Sequence, residues 1–453
     1  MALPVEKINA SFEGEFTFQR KKYSVPFTLP GDLVQFRMIR KGRRMSMEVL
    51  HIEKNPEITE NIESAEPFCE AYGSCGGCRG QHFSYDYQFR LKSTPVLEKM
   101  KERFDIEIFG LPARKKSAHR HRMDFVVNGT VLGFRPAGDF SNYIDVELCP
   151  AQYEFSNQIL KTLRDVLKKH PVGYSREEKT GILKYATIRT GKTGILILSY
   201  EKTNYDFNIA AVQEFENDLT NSLSLDFKTN CSIVRCFSDS GAELSVTSDG
   251  EIVTGSNQFE IELCGRIFSV PYDSFFQPNP EGFSELLDRT AEMLEKHLPA
   301  EKLHLIDLYS GAGVLSSILT EKFQGKFLSV YGCDSVSSSA LLAKNNFNHF
   351  QGEAVFETWD LNQPRYSNSH ILDKKNSLIV ADPPRAGFSP ALKKEILKSA
   401  EAEYILYISC NPSSQIRDME DLKEKYTPVE GILADCFPQT PHLEQAVLLK
   451  KNS

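Results

Sequence analysis

Cys410 ends a strand-like apolar run, Glu403-Tyr-Ile-Leu-Tyr-Ile-Ser409, and is followed by Asn411 and Pro412. Asn is a preferred helix N-cap and Pro a preferred first helical residue, so a strand-to-helix turn is expected there. A thiol at the positive end of a helix is expected to favour thiolate, the nucleophilic form. A lone cysteine in such a place is ordinarily a small core residue. Other segments supply what a nucleophile would need.

Cys69, Cys75 and Cys78 stand in a C-x5-C-x2-C spacing, and Gly73, Gly76 and Gly77 let the chain wrap closely around a bound centre. Cys149 precedes Pro150, the ending of bacterial ferredoxin cluster motifs. Four thiolates suit a tetrahedral zinc site or an iron–sulfur cluster, and the spacing leaves both open. Cys231, Cys236, Cys264, Cys333 and Cys436 are scattered and read as small apolar core residues.

Leu303 to Val314 reads as a strand, a tight turn with Gly311 and Gly313, and a helix start. The third glycine of a dinucleotide fingerprint is missing, since position 316 is Ser. The next apolar strand ends in Asp334, an acid placed to hold ribose hydroxyls in NAD enzymes and S-adenosylmethionine (SAM) enzymes alike. Asp382-Pro-Pro-Arg385 then closes another strand, where prolines stop the sheet and stiffen the loop facing the cleft. Arg385 stands where enzymes that methylate exocyclic nitrogens carry an aromatic residue, which points away from a nitrogen target.

The elements that must position these residues fall into three textures. Residues 9 to 54 alternate apolar and polar, as in a small β-barrel, and the basic stretches Arg20 to Lys22 and Arg37 to Arg44 suit phosphate contacts. Residues 119 to 269 read as strands and turns, and a helix is expected near Tyr85 to Phe104. After 280, helices alternate with short apolar strands, the pattern of a parallel α/β sheet. The expected fold is therefore α/β plus β. Its expected parts are a barrel over 1–55, a central β-rich part over 56–270 and a catalytic α/β part over 271–453. A helical segment over about 83–111 is expected to pack on the catalytic part. A chain of 453 residues supports about three domains. Net charge of −8 argues against a uniformly basic surface while leaving room for basic patches. No membrane-length apolar run or export signal is read, so a cytoplasmic, monomeric protein with reduced thiols is expected.

Taken together, these residues resemble the uracil-5 RNA methyltransferase family, which makes 5-methyluridine in tRNA or 23S rRNA. The resemblance runs through Cys-Gly-Gly-Cys78-x-x-Gln81-His82, Phe275-Phe276-Gln277-Pro-Asn279 and Asp307-Leu-Tyr-Ser-Gly-Ala-Gly313. It continues in Asp382-Pro-Pro-Arg-Ala-Gly387, Ser409-Cys410-Asn-Pro412 and Phe437-Pro-Gln-Thr-Pro-His442-Leu-Glu444. It implies an N-terminal RNA-binding TRAM-like barrel of OB type, and a Rossmann-like class I SAM methyltransferase domain at the C-terminus. It also implies a [4Fe-4S] cluster on Cys69, Cys75, Cys78 and Cys149. SAM would contact Gln277, Tyr309, Asp334, Asp360 and Asp382. Cys410 would be the nucleophile, adding to carbon 6 of the uracil. Glu444 would accept the proton that carbon 5 must lose, with His442 supporting its loop. Arg120 would touch RNA, and Tyr72 or Phe276 could stack on a base of the flipped-out target, although core packing suits both. Ser310, Val314 and Asp334 depart from the family's usual residues. The RNA partner is expected to be 23S rRNA ahead of tRNA. The competing readings are a cytosine-5 RNA methyltransferase, which usually carries a Pro-Cys nucleophile, a catalytically silent RNA-binding protein, and an electron-transfer protein.

Overall fold

The computed structural model describes every residue except 42–43, 56–61, 140, 204, 228–229, 240, 348, 364–370 and 453. Arg43, within one of the expected phosphate-binding stretches, lies outside the described residues.

The N-terminal alternation builds two three-stranded antiparallel sheets. One orders Ala2–Pro4, Leu33–Lys41 and Arg44–Glu53; the other orders Lys7–Ile8, Glu13–Phe18 and Lys21–Pro26. The inward residues Val5, Phe16, Val25, Val34 and Phe36 meet in one small core. The expected barrel takes this form because the first extended segment bends at Val5 and Glu6. Their amides donate to Asp32 O at 2.9 Å and Glu15 O at 2.7 Å, so one segment serves both sheets. No closed barrel forms among the described residues.

A seven-stranded sheet follows in the order Ile144–Asp145, Val131–Phe134, Arg122–Asn128, Leu183–Thr190, Gly194–Glu201, Cys231–Ser238, Glu251–Thr254. Helices Glu154–Lys169 and Tyr205–Phe227 bury one face with Ile159, Leu163, Phe215 and Leu219. Phe259 and Ile261 of the hairpin strand Gln258–Leu263 cover Ile195, Ile197 and Val234 on the other face, and the same core runs on into the C-terminal sheet.

That C-terminal sheet has eight strands: Glu353–Thr358, Phe327–Asp334, Leu303–Leu308, Ser377–Ala381, Tyr404–Ser409, Glu444–Lys451, Tyr426–Ala434 and Ile108–Leu111. The first five are parallel, and Glu444–Lys451 runs antiparallel to Tyr404–Ser409. Strand order reverses at Leu303–Leu308, so the carboxyl ends of that strand and Ser377–Ala381 border a crevice. The edge strand Ile108–Leu111 comes from far upstream. It follows helix Tyr85–Phe104, which Ser84 caps by accepting from Tyr87 N at 3.2 Å. Among the described residues, no helix is long and apolar enough to cross a membrane.

Candidate active site

The antiparallel register brings two of the expected residues together. Ser409 pairs with Gln445, so one further step sets Cys410, just past its strand, across from Glu444, the first residue of the facing strand. Cys410 is half-buried, whereas Glu444 is buried. Burial raises the Cys410 thiol above its usual value, the Glu444 and Asp382 charges raise it further, and Arg385 opposes them by charge and hydrogen bond. Burial and the neighbouring acids thus act against the thiolate that a helix terminus favours, and Arg385 acts for it. Asn411 does occupy the N-cap with Pro412 after it, but its side chain makes no cap. Its Nδ2 donates to Arg385 O at 2.9 Å, as Ser414 Oγ does at 3.0 Å. The start of this helix thereby holds the Asp382–Gly387 loop against the thiol.

Arg385 was legible only as a departure from another motif. In the structure its Nη2 lies 3.4 Å from His442 Nε2, and its charge opposes the rise of the Glu444 carboxyl. Burial, then Arg385 and Lys92, push His442 down to about 4, so its ring is neutral at pH 7. Burial raises Glu444 well above the usual carboxylate range, and Asp382 adds to the rise.

The crevice holds three more acids. Burial pushes Asp307 up to about 7. Burial and then the Asp307 charge push Asp382 to about 7, against a hydrogen bond from Gln277 Nε2 at 3.0 Å. Asp334 accepts from Gly311 N at 3.1 Å and Val336 N at 2.9 Å, which ties the end of its strand to the glycine turn. Gly313 opens the following helix at φ 67°, and a Cβ there would press on Ala343, Phe347 and Phe356. Tyr309, at φ 63°, stacks on Phe388 with centroids 6.4 Å apart, and Phe388 stacks on Tyr407 at 4.3 Å. Asp360 lies apart from this group of acids in its hydrogen bonds: it accepts from Asn362 N at 3.0 Å and Gln363 Nε2 at 3.1 Å within its own turn.

Phe276 is buried, and Tyr72 donates to Arg79 O at 2.8 Å, so both rings are engaged inside the fold. Phe275, which sequence reasoning passed over, is 73% exposed beside Gln277. Its signal was weak because paired phenylalanines do not reveal which one faces out.

Cys69, Cys75, Cys78 and Cys149 line one cavity of about 320 Å³, together with Arg120, Pro438 and Thr440. Burial pushes Cys78 up to about 12, and the charges of Cys149, Cys75 and Cys69 add to the rise, so the four sulfurs are near neighbours. Among the described residues, no group of three or more His, Cys, Asp or Glu is placed to hold a metal ion, so the expected cluster is not supported by the arrangement of the four thiols. Arg120 is half-buried at this cavity, its backbone bonded to Ala151 and Tyr153, and its buried Nε has no hydrogen-bond partner among the described residues. Its charge helps to lower His442, so it lies near both the cysteines and the segment that carries His442.

Comparison with known proteins places this geometry among relatives. The family described as tRNA (uracil-5-)-methyltransferase matches residues 256–452. An uncharacterised RNA methyltransferase of Leptospira interrogans is 34% identical over 99% of this chain and 96% of its own length. A tRNA (uracil(54)-C(5))-methyltransferase of Pyrococcus horikoshii is 29% identical, covering 93% of each chain. The crystal structure of the Pyrococcus abyssi tRNA (uracil-54, C5)-methyltransferase, with S-adenosyl-L-homocysteine, shares the fold at TM-score 0.71. Its identity is 24%, over 99% of this chain and 100% of that one.

Proposed function

Because the chain belongs to the uracil-5 RNA methyltransferase family, we propose that it methylates carbon 5 of a uridine in RNA, with Cys410 as nucleophile and Glu444 as proton acceptor. The observation that carries this reading is the ladder register that faces Cys410 with Glu444 at the mouth of an acid-lined crevice.

Carbon 5 of uracil is too weak a nucleophile to take a methyl group unaided. Bonding of the Cys410 sulfur to carbon 6 pushes the ring's electron pair into an enolate and makes carbon 5 nucleophilic. SAM would supply the methyl group as a sulfonium. Glu444 then takes the proton remaining on carbon 5, the ring double bond re-forms, and the carbon–sulfur bond breaks to return Cys410. Arg385, which lowers both Cys410 and Glu444, favours the ionised form that each step requires. The buried carboxyls Asp307 and Asp382 fit a cationic ligand, because a positive charge beside them would offset the burial, and the neighbouring acid charges, that disfavour their ionised forms. Gln277, Tyr309 and Asp334 border the same crevice, and Asp360 is proposed at its adenine end. Phe275 offers an exposed face for a base.

We propose a [4Fe-4S] cluster on the four thiols from the family resemblance and from their lining of one cavity. Such a cluster would cross-link the 69–78 loop to Cys149. The sequence expectation puts 23S rRNA ahead of tRNA, and the names of the Pyrococcus relatives, tRNA (uracil(54)-C(5))-methyltransferases, support testing tRNA beside it. The test is incubation with labelled SAM and separate tRNA and 23S rRNA transcripts, then nucleoside mass spectrometry. Label in 5-methyluridine is expected; label only in 5-methylcytidine, or none, would overturn the reading.

A further inference from the structure

The loop 435–443 joins strands Tyr426–Ala434 and Glu444–Lys451, so its shape sets where Glu444 begins. Its ends and middle are gathered by one ammonium from a distant helix. Lys92, on Tyr85–Phe104, places Nζ 2.7 Å from Asp435 Oδ1, 2.9 Å from Thr440 O, 3.2 Å from His442 O and 3.3 Å from Phe437 O. Both side chains of the ion pair are buried, at 1% and 0% exposure. Neighbours on the same helix reinforce the grip: Tyr85 Oη donates to Asp435 Oδ2 at 2.9 Å, and Gln88 Nε2 to Gln439 Oε1 at 3.0 Å. The cysteine loop adds two amides, Arg79 N and Gly80 N, which donate to Gln439 O at 2.8 and 3.1 Å. Gln439 is held at φ 67°, a left-handed conformation that a non-glycine residue keeps only when its surroundings enforce it.

We propose that Lys92 is a positioning residue for the proton-abstraction step, acting through the 435–443 loop to hold Glu444 against carbon 5 of the substrate. A buried charge used only for stability is weak economy, because desolvation offsets most of the gain from pairing. Here the ammonium is shared among three carbonyls of the loop that ends at the proton acceptor, and that is a geometric function. The inference rests on the function proposed above.

Removing Lys92 alone would strand a buried Asp435 charge, so the test uses the double variant Lys92→Met/Asp435→Asn, with no unpaired ion. The substrate is whichever transcript the wild-type protein converts, with [methyl-3H]SAM. We expect kcat to fall on the order of 10²-fold, because small misplacements of a catalytic group have such effects. The ratio kcat/KM for RNA and for SAM should stay within about twofold of wild type, with KM falling alongside kcat, since the impaired step follows methyl transfer and neither binding surface is touched. Methylated RNA should remain covalently attached to the protein on denaturing gels. Amide hydrogen exchange of the RNA-free protein should be faster across 436–444 than in wild type. Wild-type turnover, unchanged exchange, or parallel loss of methyl transfer and adduct would each overturn the assignment. If wild type makes 5-methyluridine and the variant matches it, only the Lys92 inference falls. If wild type makes none, the parent reading falls with it.

Discussion

Three carboxyls of the crevice, Asp307, Asp382 and Glu444, hold their protons to higher pH than their side-chain types suggest. Asp307 and Asp382 sit near pH 7 and Glu444 higher, because burial and mutual repulsion penalise their ionised forms. A cation entering among them lowers those values and releases protons. Binding of the sulfonium SAM should therefore tighten as pH rises from about 6 to 8, through the window in which Asp307 and Asp382 titrate in the free protein. S-adenosylhomocysteine, whose thioether is neutral, should show a flatter dependence. Calorimetry in buffers of different ionisation enthalpy measures both, and equal proton release by the two ligands would contradict this account. Sequence reasoning could name these acids from their strand ends. It could not see that they lie together, nor that burial and these acids act against a thiolate at Cys410.

Among the elements, the helix Pro412–Leu422 matters as a brace more than as a dipole. Its Asp418 accepts from Phe388 N at 2.7 Å, Tyr407 Oη at 2.8 Å and Lys393 Nζ at 2.9 Å, fixing the far end of the Asp382–Phe388 loop. Gly387 packs onto that carboxylate at φ 82°, and a Cβ there would overlap Asp418 Oδ2. Gly387→Ala should cost on the order of 2–4 kcal/mol, from left-handed strain plus overpacking, with a matching loss of activity. Gly241→Ala has a similar φ of 84° and open space around its Cβ position, so it should cost only the strain. Thermal melts compare the two, and equal losses would contradict the brace. Elements of this kind were partly legible. The helix Tyr85–Phe104 and the strand-to-helix turn at Cys410 lie where periodicity and capping residues put them. The edge strand Ile108–Leu111 was hidden, since four residues carry no period and their partner strand lies more than three hundred residues away. The N-terminal barrel was overread because alternation fixes which residues face inward, not whether strands close a ring.

At the scale of the whole molecule, the cysteine cavity and the crevice beside Cys410 and Glu444 are neighbours joined by one loop. Pro438 and Thr440 line the cavity, and Glu444 follows four residues later in the chain. Sequence motifs supplied both halves, while the connection through Lys92, Gln439 and the Arg79–Gly80 amides exists only in three dimensions. The account depends on Cys410 and Glu444 serving one pyrimidine in two successive steps. The most direct test is denaturing electrophoresis of protein incubated with SAM and the substrate transcript. Glu444→Gln should accumulate a covalent protein–RNA adduct that already carries the new methyl group. Cys410→Ala should form neither adduct nor product. Full turnover by either variant, or methylation by Cys410→Ala, would contradict the account.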